Sequence, residues 1–434
     1  MKNAVLCAAL VVLSCNISSG QQYKVLWSFG GAAVGDGSQP LDKLVADKNG
    51  NLYGTTEYGG TGPASDCGSL GCGTVFELSP THDGTWTETI IYSFCTSYSG
   101  FLCLDGALPF AGLIFDSAGN LYGTTSYGGQ SCPPNGSGCG TVFELSPPAL
   151  PGASWTETVL YSFCASGMGI DSVFCPDGAM PHSKLTFDQS GNLFGTTWIE
   201  GIGNAGTVFE LTPEVGGWTE SVLYNFCTLG KYPVPCPDGV APEAGVTLDQ
   251  AGNLYGTTVA GGSKQFLGGG VVYKLSPSQQ GWSETVLYSF TSPGRRTGSS
   301  LYGSVNFDNL GNLFSTVAGG GLNGAGGVFR LSPKAPREIT FSFSGDNGYQ
   351  PVAGVLIDPR NNDLYGTTEY GGAGGVGVVF KIAGTTETVL HSFTGGTDGQ
   401  QPVAALTADG KGNLYGTTEY GGTNDLGTVF EITP

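Results

Sequence analysis

The chain has 434 residues, 75 of them glycine, and carries a formal charge of −19 with an isoelectric point near 4.3. It therefore offers no extended positive face to neutralise phosphates, which argues against nucleic acid or an anionic membrane surface as partner. Ordinary proline usage and recurring short runs of Val, Leu, Tyr and Phe indicate turn-rich β structure and not disorder.

In chain order, Lys2, an apolar stretch from Ala4 to Leu13 and small polar residues up to Gly20 read as a signal peptide over residues 1–20. The stretch is too short to remain as a membrane span. Val12-Leu13-Ser14-Cys15 is also an imperfect lipobox, so simple secretion and lipidation through Cys15 are both open. Either reading puts the protein outside the cytoplasm, secreted or at the cell surface. No later segment approaches transmembrane length.

From Tyr23 to Phe29 comes a predicted strand, YKVLWSF, and then a repeating pair of words. NLYGTT or a variant starts at Asn51, Asn120, Asn192, Asn253, Asn312, Asn362 and Asn413. GTVFELSP or a variant follows from Gly73, Gly140, Gly206, Gly270, Gly327, Gly377 and Gly427. The period of roughly 50 to 70 residues suits one propeller blade with its loops. The second unit resolves into four predicted strands: 111–116, 120–126, 140–146 and 156–163. Asp116, Gly119 and Asn120 form a tight DxxGN turn between the first two, and the turn recurs in the other units. Small residues such as Ala111-Gly112 and Ala244-Gly245 suit the strand nearest a crowded axis. Gly54, Gly123, Gly195, Gly256, Gly366 and Gly416 recur in mid-strand, as for close backbone approach between neighbouring blades, with Ser315 in the fifth unit.

The ends fix the count. Tyr23 to Phe29 copies the fourth strand of a unit, and the chain stops at Pro434 directly after a third strand. An unpaired edge invites aggregation, so the N-terminal strand should complete the last unit from outside. The expected fold is all-β: a seven-bladed propeller of four antiparallel strands per blade, occupying residues 21–434 as a single domain and expected as a monomer.

Ten cysteines fall into close pairs that are read as local disulfides: Cys67 with Cys72, Cys95 with Cys103, Cys132 with Cys139, Cys164 with Cys175, and Cys227 with Cys236. All lie either between strands two and three or between strand four and the next blade. In a four-stranded meander those two loop sets share one face, which makes that face the expected working surface. A DGxxP word at Asp36, Asp105, Asp177, Asp238 and Asp398, with Asn347-Gly348 in the sixth linker, reads as turn chemistry. No metal and no cofactor is assigned.

Since a site seldom needs seven equal copies, departures from repetition mark candidates. After strand two, Glu57-Tyr58, Glu369-Tyr370 and Glu419-Tyr420 occupy equivalent places in units one, six and seven, with Tyr127 in unit two and Trp198 in unit three. Ring closure makes these units consecutive, so the eight residues should form an acidic and aromatic arc on the decorated face. Such a surface suits a neutral sugar or a cationic group.

The motif GNLYGTTxxGG followed by GTVFEL resembles the GloVer tandem repeat, the Gloeobacter and Verrucomicrobia type found in exported choice-of-anchor bacterial proteins. The resemblance spans nearly all of Tyr23 to Pro434, although no C-terminal anchor follows the last repeat. It implies an exported repeat protein without an assigned biochemical activity, and it supplies no catalytic residue.

Three functional readings follow. The first is a non-enzymatic propeller that binds an extracellular glycan or protein through its disulfide-bearing face. The second is a hydrolase or lyase acting on carbohydrate with carboxylates at the channel mouth, for which Glu57, Glu369 and Glu419 are the candidates. The third is a structural envelope component. No GxSxG, HExxH, Walker or CxxCH word occurs, and His82, His182 and His391 are scattered, as structural histidines are.

Overall fold

A computed structural model describes residues 21–62, 67–130, 138–150, 152–164, 175–228, 235–263, 268–290, 298–333 and 335–433. Seven four-stranded antiparallel sheets form a seven-bladed β-propeller. The second blade runs Ile114–Phe115, Leu121–Thr125, Thr141–Ser146 and Thr156–Ser162. In the seventh, Thr407–Ala408, Leu414–Thr418 and Thr428–Thr433 are completed by the N-terminal strand Gln22–Ser28. Gln22 pairs with Thr433 and Ser28 with Thr428, as the reading of the chain ends requires.

Innermost strands are shorter than expected: Ile114–Phe115 in place of 111–116. The preceding Ala-Gly segment uses its backbone groups on neighbouring blades instead. Thr55 Oγ1 donates to the Ala111 carbonyl at 2.9 Å, and the Gly112 amide donates to Asp42 Oδ2 at 2.6 Å. The mid-strand glycines also have a different cause from blade-to-blade backbone approach. Gly123 lies directly across from Phe143 on the adjacent strand of its own blade, and a Cβ there would sit 2.6 Å from the Phe143 ring. The same holds for Gly54 against Phe76 and Gly416 against Phe430.

Those rings belong to the joints between blades. Phe94 from the end of one outer strand meets Phe143 of the next blade edge to face at 5.1 Å, and the equivalent pair occurs at all seven joints, from Phe29–Phe76 to Phe393–Phe430, with centroids 5.0–5.3 Å apart. All fourteen rings are fully buried. Each such pair contributes about 0.5–1.5 kcal/mol beyond its area.

The DGxxP word is turn chemistry, and it also joins blades. Asp177 Oδ2 accepts from Tyr161 Oη at 2.7 Å and from the Cys164 amide at 2.8 Å, anchoring the linker to the blade before it. The residue ahead of the proline, or ahead of Leu301 in the fifth linker, is left-handed in every blade, with φ between 54° and 60° from Gln39 to Gln401. That twist lets one residue bridge two blades: the Leu108 amide donates to the Cys72 carbonyl at 2.8 Å, and its own carbonyl accepts from the Ser126 amide at 3.0 Å.

Four expected disulfides form: Cys67–Cys72, Cys95–Cys103, Cys164–Cys175 and Cys227–Cys236. Cys139 is disulfide-bonded, and its expected partner Cys132 lies outside the described residues, as do residues 1–20 with Cys15. Cys72 Sγ lies 4.0 Å from Cys103 Sγ, so the two loop sets meet on one face. Among the described residues no helix is long and apolar enough to cross a membrane.

Candidate functional site at the propeller axis

A cavity of about 1010 Å³ occupies the middle of the ring. Its wall is built in levels, because each blade contributes an equivalent inner segment and alternate residues of an extended segment point the same way. The residue after each linker proline, or after Leu301 in the fifth linker, forms one level, which includes Phe110, His182, Glu243 and Tyr302. Two residues further on, a second level includes Lys43, Lys184, Gly245, Ser304, Gly354 and Ala405. Above both stand Glu57, Glu369 and Glu419, whose amides donate to the carbonyls of Gln39, Gln350 and Gln401 at 3.0 Å each, at the start of the inner segments. The left-handed residue of the joint thus also positions the glutamate of the mouth.

Three glutamates of the expected arc lie within electrostatic reach of one another. Glu419 feels the charges of both Glu369 and Glu57, and its carboxyl is raised by burial first and then by those neighbours. Burial also raises Glu57, opposed by the adjacent Tyr58 hydroxyl and by His182. Tyr58 and Tyr420 are pushed up to about 12, mainly by burial and by the glutamate beside each. Tyr127 is close enough to Tyr58 to act on it, and Tyr370 Oη accepts from Gln401 Nε2 at 2.9 Å. Of the eight predicted residues, Glu57, Glu369 and Glu419 line the cavity, while Tyr58, Tyr127, Trp198, Tyr370 and Tyr420 stand beside that lining.

Trp198 extends the arc through a residue that reads as structural in the sequence. His182 is sandwiched between Trp198 at 5.1 Å and Phe110 at 4.7 Å, both nearly parallel. Its Nδ1 lies 3.7 Å from Glu243 Oε1, an electrostatic contact too long for a hydrogen bond. His182, Glu243, Tyr302, Phe110 and the two lysines escaped the sequence reading. Their signal was available in the first and third residues after the linker proline or, in the fifth linker, after Leu301, where a segment rich in small residues abruptly carries charge or an aromatic ring.

The wall can do two things chemically: present aromatic faces, and offer carboxylates and amines to a polar ligand. Sulfur groups close enough to hold a metal, Cys67 with Cys72 and Cys103 and Cys139 with Cys164 and Cys175, consist of disulfide cysteines, which have no thiolate to donate.

No curated protein matches this chain. Among solved structures, a protein of unknown function from Dyadobacter fermentans DSM 18053 is similar at 12% identity with a TM-score of 0.40, over 96% of this chain and 100% of that one. A second, described as "a putative 6-phosphogluconolactonase" from Bacteroides uniformis ATCC 8492, is similar at 14% identity with a TM-score of 0.45, over 84% of this chain and 94% of that one. The model of the Gloeobacter/Verrucomicrobia repeat matches residues 11–174 and 241–434. With the repeat words, the blades they build and this match in agreement, the chain belongs to the Gloeobacter/Verrucomicrobia repeat family.

Proposed function

We propose that this chain is an exported binding propeller whose central cavity takes a glycan segment from the disulfide-bearing face. The observation that carries this reading is the asymmetry of the cavity wall. Joint residues repeat around the ring, whereas the residue after the linker proline, or after Leu301 in the fifth linker, is Leu41, Phe110, His182, Glu243, Tyr302, Val352 and Val403 in turn. A scaffold that needed only to stand would gain nothing from that variety. Trp198, His182 and Phe110 offer an aromatic surface, the glutamates accept from hydroxyls, and about 1010 Å³ accommodates a short sugar segment. Export is supported by the signal-like residues 1–20 and by disulfides, which persist in oxidising compartments. Lipidation at Cys15 would keep the same binding face at the cell surface.

Hydrolysis is the second reading, favoured by the raised carboxyls of Glu57 and Glu419, since a general acid must hold its proton near neutrality. One experiment separates the readings: a glycan array with the mature protein, run beside an assay for released reducing ends. Binding without turnover supports the binding propeller. Turnover that disappears in Glu57→Gln or Glu419→Gln makes it a hydrolase. Neither binding nor turnover, with an envelope defect on deletion, makes it a structural component.

A further inference from the structure

Two of the chain's cations stand inside the cavity. Lys43 and Lys184 share the second level of the wall with Gly112, Gly245, Gly354, Ser304 and Ala405, and the small residues leave the space into which two long side chains reach. The lysine backbones are held by the next blade. A Cβ on Gly112 would lie 2.7 Å from the Lys43 carbonyl oxygen, and one on Gly245 would lie 2.4 Å from that of Lys184.

Neither ammonium has a hydrogen bond or ion pair among the described residues. The neighbouring carboxylate, Asp42, is engaged elsewhere: Oδ1 accepts the Lys43 amide and Oδ2 accepts the Gly112 amide, each at 2.6 Å. Lys43 is lowered to about 8, by burial first and then by the like charge of Lys184, with Asp42 only partly opposing. Lys184 is lowered by burial as well. Desolvated amines that repel each other and lack a paired carboxylate are unfavourable until an anion arrives.

The charge above them selects the anion. Glu57, Glu243, Glu369 and Glu419 line the same cavity nearer the mouth on the disulfide-bearing face, so a ligand entering from that face passes four carboxyls to reach two amines. A single negative charge meets less repulsion there than a double one. Lys43 lies two residues beyond the first wall level, about 7 Å deeper along an extended segment, roughly the width of one sugar ring.

We infer that the cavity takes an acidic sugar of the uronic acid class, with its carboxylate between Lys43 and Lys184 and its hydroxyls toward the glutamates and His182. This deepens the glycan-binding reading and rests on it. The test is titration of the mature protein with the methyl glycoside of galacturonic acid, which carries one carboxylate, its methyl ester and a sugar phosphate. The acid should bind about tenfold or more tightly than the ester, the gain of one charge-assisted contact. Lys43→Met and Lys184→Met, which keep side-chain length, should bring the acid down to the ester's affinity without lowering the melting temperature. Equal binding of acid and ester would overturn the inference and leave the glycan reading standing. Preference for the sugar phosphate would overturn the single-charge selection. Absence of binding by all three, with no hit on the array, would overturn both readings.

Discussion

Gly123 and Phe143 fix the blade at the scale of one side chain. The ring needs the space above the glycine to reach Phe94 in the preceding blade, so a residue that looks weak for a strand is the condition for the joint. Gly123→Ala should destabilise the protein by about 1–3 kcal/mol, the usual effect of overpacking, which urea unfolding would measure. Position 315 is the natural counterexample: serine is accommodated there because its Oγ donates to the Gly303 carbonyl at 3.0 Å. A mid-strand glycine is visible in sequence, but its cause lies on the paired strand, so the column was legible and the reason was not. His182, Lys43 and Lys184 were harder still. Each occurs in a short inner segment that makes only a two-residue ladder, where no periodic pattern marks which side chains face the axis.

Between elements, the outer strand of each blade meets the linker that precedes that blade, and carboxyl groups meet there. Glu88, Glu157 and Glu220 are raised to about 8 and Glu284 to about 7, by burial first and then by Asp36, Asp105, Asp177 and Asp238 respectively. Glu157 Oε1 and Asp105 Oδ1 are both buried with no donor, as are Glu220 Oε1 and Asp177 Oδ1, and a proton held by the glutamate supplies one. Where the linker has Asn347 instead, its Nδ2 donates to Glu387 Oε2 at 3.3 Å. The consequence for stability has a definite sign. The folded chain binds these protons up to about pH 7 to 8, whereas free glutamate releases them near 4.5, so stability falls as pH rises through that window. Melting temperature should be higher at about pH 5 than at about pH 7.5, and Glu157→Gln with Glu220→Gln should flatten the slope. A slope of opposite sign, measured by calorimetry, would remove the shared protons from the account. The DGxxP turns were legible as turns; the partner of each aspartate was not, because it sits in a strand tens of residues away.

For the whole molecule, the ends of the chain carry the information that the repeats alone lack. Copies of two words suggest blades, and a stray fourth strand at Tyr23 to Phe29 says how the last blade closes; Lys24 opposite Glu431 and Tyr23 opposite Ile432 realise it. Closure turns seven similar units into a ring with an interior, and the interior is where the units stop being similar. We place glycan binding in that interior and not on the outer loops. Ala405→Trp separates the two locations, since Ala405 stands in the same level of the cavity wall as the lysines, and a large ring there fills the space without altering the disulfide-bearing loops. Glycan affinity measured by calorimetry for this variant, with its melting temperature as the check on folding, should drop below detection while the melting temperature stays within a few degrees of the parent. Undiminished affinity would rule out binding in the interior and move the site to the loops.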